Sequence, residues 1–247
     1  MPGLDWLTAR PVAHRGLHDA SAGVIENSAS AFTAAVAGGY AIECDLQISA
    51  DGEAMVHHDA ALGRLTEGDG RLAALSAAAI AAAPFRKTAD RILTLGELCA
   101  LVAGRTPLLI ELKSHWDGDN RLVARTAAVL ASYAGPVAVM SFDPGMIETL
   151  RATAPGLPRG IVAERHHRHE GKDVPAALNR RLAHLLHAHR TRPHFVAYHV
   201  KDLPAPAPAI ARWIFGLPLL AWTVRSDADR AIARRWADQV IFEGWRP

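Results

Sequence analysis

Eight short apolar runs, separated by stretches long enough for a helix, limit what this chain can fold into more than any other feature. They fall at Pro11 to Ala13, Ala41 to Leu46, Pro107 to Leu112, Val137 to Ser141, Arg159 to Ala163, Phe195 to Tyr198, Leu219 to Val224 and Gln239 to Phe242. Helical periods fill most of the gaps, at Ser28 to Ala37, Arg121 to Tyr133, Pro144 to Ala154, Pro175 to His189 and Ala228 to Trp236. Strands alternating with helices argue for βα units around a parallel sheet. Eight of them predict an α/β fold closed as a (β/α)8 TIM barrel, which needs about 250 residues. The chain has 247, so a single domain over residues 1–247 is expected. Between Lys201 and Trp213, Pro204, Pro206 and Pro208 argue against a regular helix start.

The interval between the second and third runs is too long for one helix and predicts a small insertion after strand 2, within residues 47–106. It carries a Gly-rich turn near Gly68 and Gly70, an Ala-rich helix around Ala73 to Ala83, and a helix from Thr94 to Val102. It opens with a hairpin, because Asp51-Gly52 is a strong short turn signal. Closed as a two-residue loop, that turn sets Ala50 opposite Glu53 and Asp45 opposite His58, with His57 pointing the other way.

Half of the residues are hydrophobic and 21% are charged, the balance of an ordinary globular protein. No run approaches a membrane span, and Met1 to Arg10 lacks a secretion signal, so a cytoplasmic protein without membrane insertion is expected. Cys44 and Cys99 have neither metal-type nor redox-type spacing and read as buried thiols. The net charge of +2 does not call for nucleic acid. From Arg159 to Lys201, nine Lys or Arg residues face Glu164, Glu170 and Asp173, and eight of the 13 histidines lie there. Its only aromatic residues besides histidine, Phe195 and Tyr198, fall in a strand run and do not alternate with the charges, so the stretch reads as a solvated basic surface rather than a nucleic-acid site. Nothing in the sequence sets the oligomeric state.

Chemistry-bearing residues gather where strands end, and in such a barrel the carboxyl ends of the strands form the open mouth. His14 and Arg15 follow the first run. Glu43 and Asp45 end the second on one face, with Cys44 on the other. Glu111 and Lys113 share a face at the end of the third. Glu43, Asp45 and Glu111 are therefore candidate ligands for a hard divalent ion, Mg²⁺ or Ca²⁺. A structural network with Arg15 and Lys113 is the competing reading. His14 and His58 suit acid/base work near neutral pH, whereas His57, His115 and His199 read as satisfied structural histidines. Arg15 and Lys113 suit a phosphate, one as a planar fork and the other as a point charge. Metal, imidazoles and cations together favour phosphoryl transfer on a phosphorylated small-molecule substrate.

An ordered series of segments carries a family resemblance: His14-Arg15-Gly16, Glu26-Asn27-Ser28, Ala31-Phe32, Glu43-Cys44-Asp45, Asp51-Gly52, His58-Asp59 with Leu62 and Arg64, Thr94-Leu95, Glu111-Leu112-Lys113, Ser141-Phe142 and Trp222-Thr223-Val224. With these the chain resembles the glycerophosphodiester phosphodiesterases. The resemblance implies a TIM barrel whose insertion supplies His58, with His14 and His58 as the acid/base pair and Glu43, Asp45 and Glu111 on a divalent ion. It further implies Arg15 and Lys113 on phosphate, Trp222 near the glycerol group, and hydrolysis of a glycerophosphodiester to glycerol 3-phosphate and an alcohol. The chain departs from the family pattern at Arg225, where Asn is usual, and at Phe242-Glu243, where Thr-Asp or Thr-Asn is usual. Those changes bear on the alcohol accepted, and Arg225 reads either as a contact for a second anionic group or as a surface arginine. The alternatives are a lysophospholipase D-like enzyme, which needs an apolar surface at its mouth, a non-catalytic phosphate-binding barrel, and a zinc protein built on His166, His167 and His169.

Overall fold

A computed structural model of the chain describes residues 3–169 and 172–247, with the side chains of 168, 169, 172 and 173 left out. Glu170 and the side chains of His169, Lys172 and Asp173, which enter the charge and histidine readings above, thus lie outside what is described. Eight parallel strands close into a barrel: β1 (Val12–Ala13), β2 (Ala41–Ile48), β4 (Leu108–Leu112), β5 (Val137–Ser141), β6 (Arg159–Ala163), β9 (Phe195–His199), β10 (Leu219–Val224) and β11 (Gln239–Phe242). The pairing runs β1-β11-β10-β9-β6-β5-β4-β2, and β1 pairs again with β2 to complete the ring. All eight apolar runs are thus barrel strands. The remaining strands are β3 (Ala54–Val56), antiparallel to β2, and the short pair β7 (Arg168–His169) and β8 (Lys172–Asp173).

The outer ring comprises α1 (Ala29–Ala37), α3 (Leu95–Val102), α4 (Arg121–Leu130), α5 (Pro144–Thr153), α6 (Ala176–Ala183), α7 (Ala188–Thr191), α8 (Pro206–Trp213) and α9 (Asp227–Trp236). In the insertion, α2 (Ala77–Ala82) follows a single 3-10 turn at Leu72–Ala74, so the Ala-rich helix is shorter than its composition predicts. Local chemistry marks the starts. The Ser28 hydroxyl accepts from the Ala31 N–H at α1, and Thr94 with Glu97 forms a capping box at α3. Two expectations need correction. Prolines do not block the helix before β10, because Pro206 occupies the first helical position of α8, where no N–H is needed. The helix from Pro175 to His189 breaks at Leu185, whose φ of 54° is left-handed, and becomes α6 and α7.

The period of two sorts each strand between two cores. Ile42, Cys44 and Leu46 point outward with Leu108, Ile110 and Leu112 and pack under Phe32, Leu98 and Val102 of the helices. Val12, Ala41, Leu109, Ala138, Met140, Val162, Phe195 and Ile241 form the inner cluster, with Leu7 and Trp6 against it. Glu43, Asp45, Glu111 and Lys113 share the parity of Ala41 and Leu109, so the inward face turns from apolar to charged as β2 and β4 reach their carboxyl ends.

The hairpin is one residue out of the expected register. Ser49 N–H donates to Glu53 O at 3.0 Å and Gly52 N–H to Ser49 O at 3.1 Å, leaving a three-residue loop of Ala50, Asp51 and Gly52. Gly52 takes φ +84° there, the left-handed residue that such a loop requires. Leu46 consequently faces Val56, and the His57 N–H, not that of His58, donates to Asp45 O at 3.0 Å. Strand β3 ends at Val56, so alternation no longer decides where His58 points.

Inside the barrel Gly160 faces Phe195, and a Cβ there would lie 2.3 Å from the phenyl ring. Gly160→Ala is expected to destabilise by about 1–3 kcal/mol, the usual penalty of overpacking. Urea unfolding measures this, and an unchanged midpoint would mean that Phe195 has room to move.

Candidate functional site

At the carboxyl ends of the strands lies a cavity of about 470 Å³, lined by His14, Arg15, His58, Glu111, Lys113 and Trp222 together with residues of the surrounding loops. Glu43 and Asp45 lie beneath that lining, each only 1% exposed, in contact with Arg15 and Lys113. The pairing of β2 with β4 sets Asp45 directly beside Glu111, and carboxylate oxygens of Glu43, Asp45 and Glu111 all lie within 4.8 Å of one another. Among the described residues this is the one cluster of metal-ligating groups of that kind, and neither His166 nor His167 belongs to it.

Two cations face the acids. Lys113 Nζ lies 2.8 Å from Asp45 Oδ1 and donates to Glu111 Oε1 at 2.6 Å. Arg15 Nε lies 3.2 Å from Asp45 Oδ2, while its Nη1 donates to Glu26 Oε1 at 2.7 Å. The Arg15 backbone N–H also donates to Glu43 Oε2 at 2.9 Å, a contact made with Arg15 at φ 56°. Such a conformation is disfavoured for a residue with a Cβ and persists only where its surroundings fix it. Here Gly16 N–H returns to Ala13 O and Asn27 N–H to Arg15 O, so the turn is held from both sides. Asn27 Nδ2 in turn donates to Asp45 Oδ2 at 2.9 Å.

The charge balance is uneven. Burial pushes the Glu43 carboxyl well above the usual carboxylate range, and repulsion from Asp45 and Glu111 adds to it. Burial would raise Asp45 as well, but Lys113 and Arg15 outweigh it and hold that carboxyl well below its ordinary value. Glu43 Oε1 is buried without a hydrogen-bond partner. An unpaired carboxylate oxygen on a floor that concentrates negative charge fits a further cation. The oxygen-only donor set suits a hard divalent ion rather than a thiophilic one.

Each imidazole at the mouth carries its own carboxylate. His14 Nδ1 is 2.7 Å from Glu243 Oε2, and its Nε2 is 4.0 Å from Glu43 Oε2. His58 Nδ1 is 2.8 Å from Asp59 Oδ1, and its backbone carbonyl accepts from Gln47 Nε2 at 2.9 Å. Burial lowers the His14 pKa to about 4, against the upward pull of the Glu243 hydrogen bond. His57 is also buried, yet neither of its ring nitrogens is hydrogen-bonded, so it is not the satisfied structural histidine expected. His115 lines the cavity rather than the core, and His199 packs beside Trp222 with ring centroids 5.0 Å apart.

An aromatic wall closes one side of the mouth. Phe142 stands edge-on to Trp222 at 5.5 Å and stacks on His167 at 4.7 Å, and Trp116 adds a contact to His167 at 5.6 Å. Among the residues without an assigned role in the sequence reading, Glu26, Asn27 and Asp59 sit in quoted motif segments, which were a usable signal. The sequence marks Glu243 only as a departure from the family pattern and His167 only as a candidate zinc ligand, because their partners His14 and Phe142 lie elsewhere in the chain.

The sequence profile of the glycerophosphoryl diester phosphodiesterase family matches residues 14–243. No functionally curated protein matches the chain. Among solved structures, the chain is similar to an Oleispira antarctica phosphodiesterase in complex with the product sn-glycerol-3-phosphate, at 21% identity, TM-score 0.75, and coverage of 94% of this chain and 91% of the other. It is also similar to the glycerophosphodiester phosphodiesterase of Agrobacterium tumefaciens, at 22% identity, TM-score 0.70 and 94% coverage of both chains. The Thermotoga maritima glycerophosphodiester phosphodiesterase matches at 21% identity, TM-score 0.71 and 94% coverage of both chains. With a closed parallel barrel, a buried acidic triad and a profile match over most of its length, the chain belongs to the glycerophosphoryl diester phosphodiesterase family of hydrolases.

Proposed function

We propose that the protein hydrolyses small glycerophosphodiesters to glycerol 3-phosphate and an alcohol, with His14 and His58 exchanging protons with the attacking and leaving oxygens. The observation that carries this reading is the pair of imidazoles at one mouth, each hydrogen-bonded through Nδ1 to a carboxylate, at 2.7 Å for His14 and 2.8 Å for His58. A carboxylate on Nδ1 fixes the ring's tautomer and leaves Nε2 free to take or give a proton. Glu43, Asp45 and Glu111 would hold a divalent cation, Mg²⁺ or Ca²⁺. When bound, that ion supplies charge stabilisation to the phosphoryl oxygens. Arg15 and Lys113 bind the phosphate, Arg15 as a planar donor and Lys113 as a point charge. Trp222, backed by Phe142, packs against the apolar edge of the glycerol group.

A soluble substrate is favoured over a lysophospholipid by where apolar surface is exposed. Leu186, Ile210, Trp213, Ile214 and Phe215 are the exposed large hydrophobic residues among those described, and none lines the cavity. Trp213 ends α8, and Ile214 and Phe215 follow it before β10, at the rim opposite the mouth. Among the described residues no helix is long and apolar enough to cross a membrane. Glycerophosphodiesters and lysophospholipids assayed side by side, with glycerol 3-phosphate and lysophosphatidic acid as separate products, decide between the two. Release of lysophosphatidic acid alone would replace the proposed substrate class.

Replacing either imidazole, as His14→Ala or His58→Ala, is expected to lower kcat by about 10²–10⁴-fold with folding intact, the usual contribution of a positioned acid or base. Steady-state kinetics on each purified variant measures this, and near-wild-type turnover in either one removes that residue from the role. Exhaustive chelation is expected to abolish turnover, and Mg²⁺ or Ca²⁺ to restore it. Full activity in a sample shown by elemental analysis to be free of metal would refute the metal assignment.

A further inference from the structure

We infer that Glu243 is a positioning residue for this reaction and that Arg225 holds Glu243 in place, so the two form one device acting on His14. The inference rests on the acid/base reading of His14 given above. One oxygen makes both contacts: Glu243 Oε2 is 2.7 Å from His14 Nδ1 and accepts from Arg225 Nη2 at 2.7 Å. The three residues follow three strands adjacent in the barrel, Arg225 after β10, Glu243 after β11 and His14 after β1. Ladder bonds carry the pairing into the loops, with His14 N–H donating to Phe242 O at 3.0 Å and Glu243 N–H to Val224 O at 3.1 Å. Arg225 is anchored from the other side, since its N–H donates to Asp229 Oδ2 at 3.1 Å, the residue that closes the capping box with Ser226 at the start of α9.

A carboxylate has no proton to give at neutral pH, so the Nδ1···Oε2 contact requires Nδ1–H and leaves the lone pair of a neutral ring on Nε2. Nε2 is the nitrogen turned toward Glu43, the floor of the site. Without Glu243 the ring can adopt either tautomer and rotate. The same construction occurs at the second imidazole, where Asp59 accepts from His58 and, on its other oxygen, from Arg64 Nε at 2.5 Å. In that copy the carboxylate follows the histidine directly. In the Glu243 copy it lies 229 residues away, which leaves no local signal of the pairing. Arg225 also borders the cavity with its side chain about half exposed, so a direct contact with substrate is the rival role, and the two roles separate in kinetics.

The test compares Glu243→Ala, Glu243→Gln, Arg225→Ala and the double variant Glu243→Ala/Arg225→Ala with wild type and His14→Ala. Each is the full chain supplied with divalent ion, and glycerophosphocholine is the substrate. Glu243→Ala is expected to lose about 10–100-fold in kcat, the usual cost of removing a group that orients an imidazole, with KM within about twofold. Glu243→Gln, whose amide oxygen can still accept from Nδ1–H, is expected to recover part of that loss. Arg225→Ala should lower kcat less, again without a change in KM, and should add nothing in the double variant, because both act through one hydrogen bond. Side-chain ¹⁵N shifts of His14 give a readout independent of turnover: a single Nδ1–H tautomer in wild type and in Glu243→Gln, and a tautomer mixture in Glu243→Ala. Wild-type kcat in Glu243→Ala, a change confined to KM, or an Nε2–H tautomer in wild type would overturn the inference. Should Glu243→Ala not fold, Glu243→Gln and the wild-type tautomer still decide it. Full activity of His14→Ala would instead remove the underlying assignment of His14, so the two failures are distinguishable.

Discussion

The ionic floor of the barrel, where Glu43, Asp45 and Glu111 meet Arg15 and Lys113, constrains everything built above it. Like charges at such distances repel by about 4 kcal/mol per pair at an effective dielectric of 20, so three buried carboxylates persist only with cations among them. Arg15 meets that need at the cost of a left-handed backbone, and its N–H and guanidinium then reach Glu43, Asp45 and Glu26 at once. Lys113 bridges the other pair. The opposed shifts of Glu43 and Asp45 show that these two cations do not balance the floor. A divalent ion held by the three carboxylates would offset that imbalance, and a phosphate brought against it would meet Arg15 and Lys113 beside it.

Glu26 couples this floor to the second imidazole. It accepts from Arg15 Nη1 at 2.7 Å and from Arg64 Nη2 at 2.7 Å, while Arg64 also holds Asp59, the partner of His58. The loop after β1 and the insertion after β3 are therefore tied through one carboxylate. His14 belongs to the first of these segments and His58 to the second, so their separation is set by a chain of charge-assisted bonds rather than by strand pairing. Screening by salt and water is weak at the part-buried Arg15–Glu26 bond and stronger at Arg64, whose side chain is 46% exposed. His58 can consequently sit in a loop, a single residue beyond a buried neighbour, and still share a mouth with His14.

What the sequence discloses follows from which interactions are local. Alternation in Ala41 to Leu46 and Pro107 to Leu112 places the acids inward because the outward residues, Cys44 and Ile110, must meet helices. Ser28, Thr94 and Asp143 mark helix starts because a cap acts within three residues. The hairpin register is a different case. Asp51-Gly52 signals a turn, but two-residue and three-residue loops share that signal, and the difference shifts every facing pair by one. His58 was expected in the site through a register that places His57 there instead. It reaches the cavity because pairing stops at Val56. Pro206 is a related case, since a proline that argues against a helix interior is favoured at its first position. In the sequence Glu243 marks only a departure from the family pattern and His167 only a candidate zinc ligand, because each acquires its observed partner through closure of the barrel or a loop.

The two halves of the cavity answer to different parts of the chain. The ionic groups come from the ends of β1, β2 and β4, with Glu243 after β11 behind His14, where strand pairing and buried charge leave little freedom. Trp116, Phe142, Glu164, His167 and Trp222 come from the ends of β4, β5, β6 and β10 and from the loops beyond, with side chains that meet mainly through ring contacts. Ring stacking tolerates substitution far better than a buried ion network does, since a lost ring leaves a smaller surface whereas a lost charge leaves its partner unpaired. Changes in the aromatic wall therefore alter the shape offered to a substrate while the floor keeps its charge. Arg225 belongs to both halves, bordering the cavity on one side and bonded to Glu243 on the other. Under the proposed acid/base role of His14, a substitution at Arg225 would act on the wall and on the orientation of His14 together.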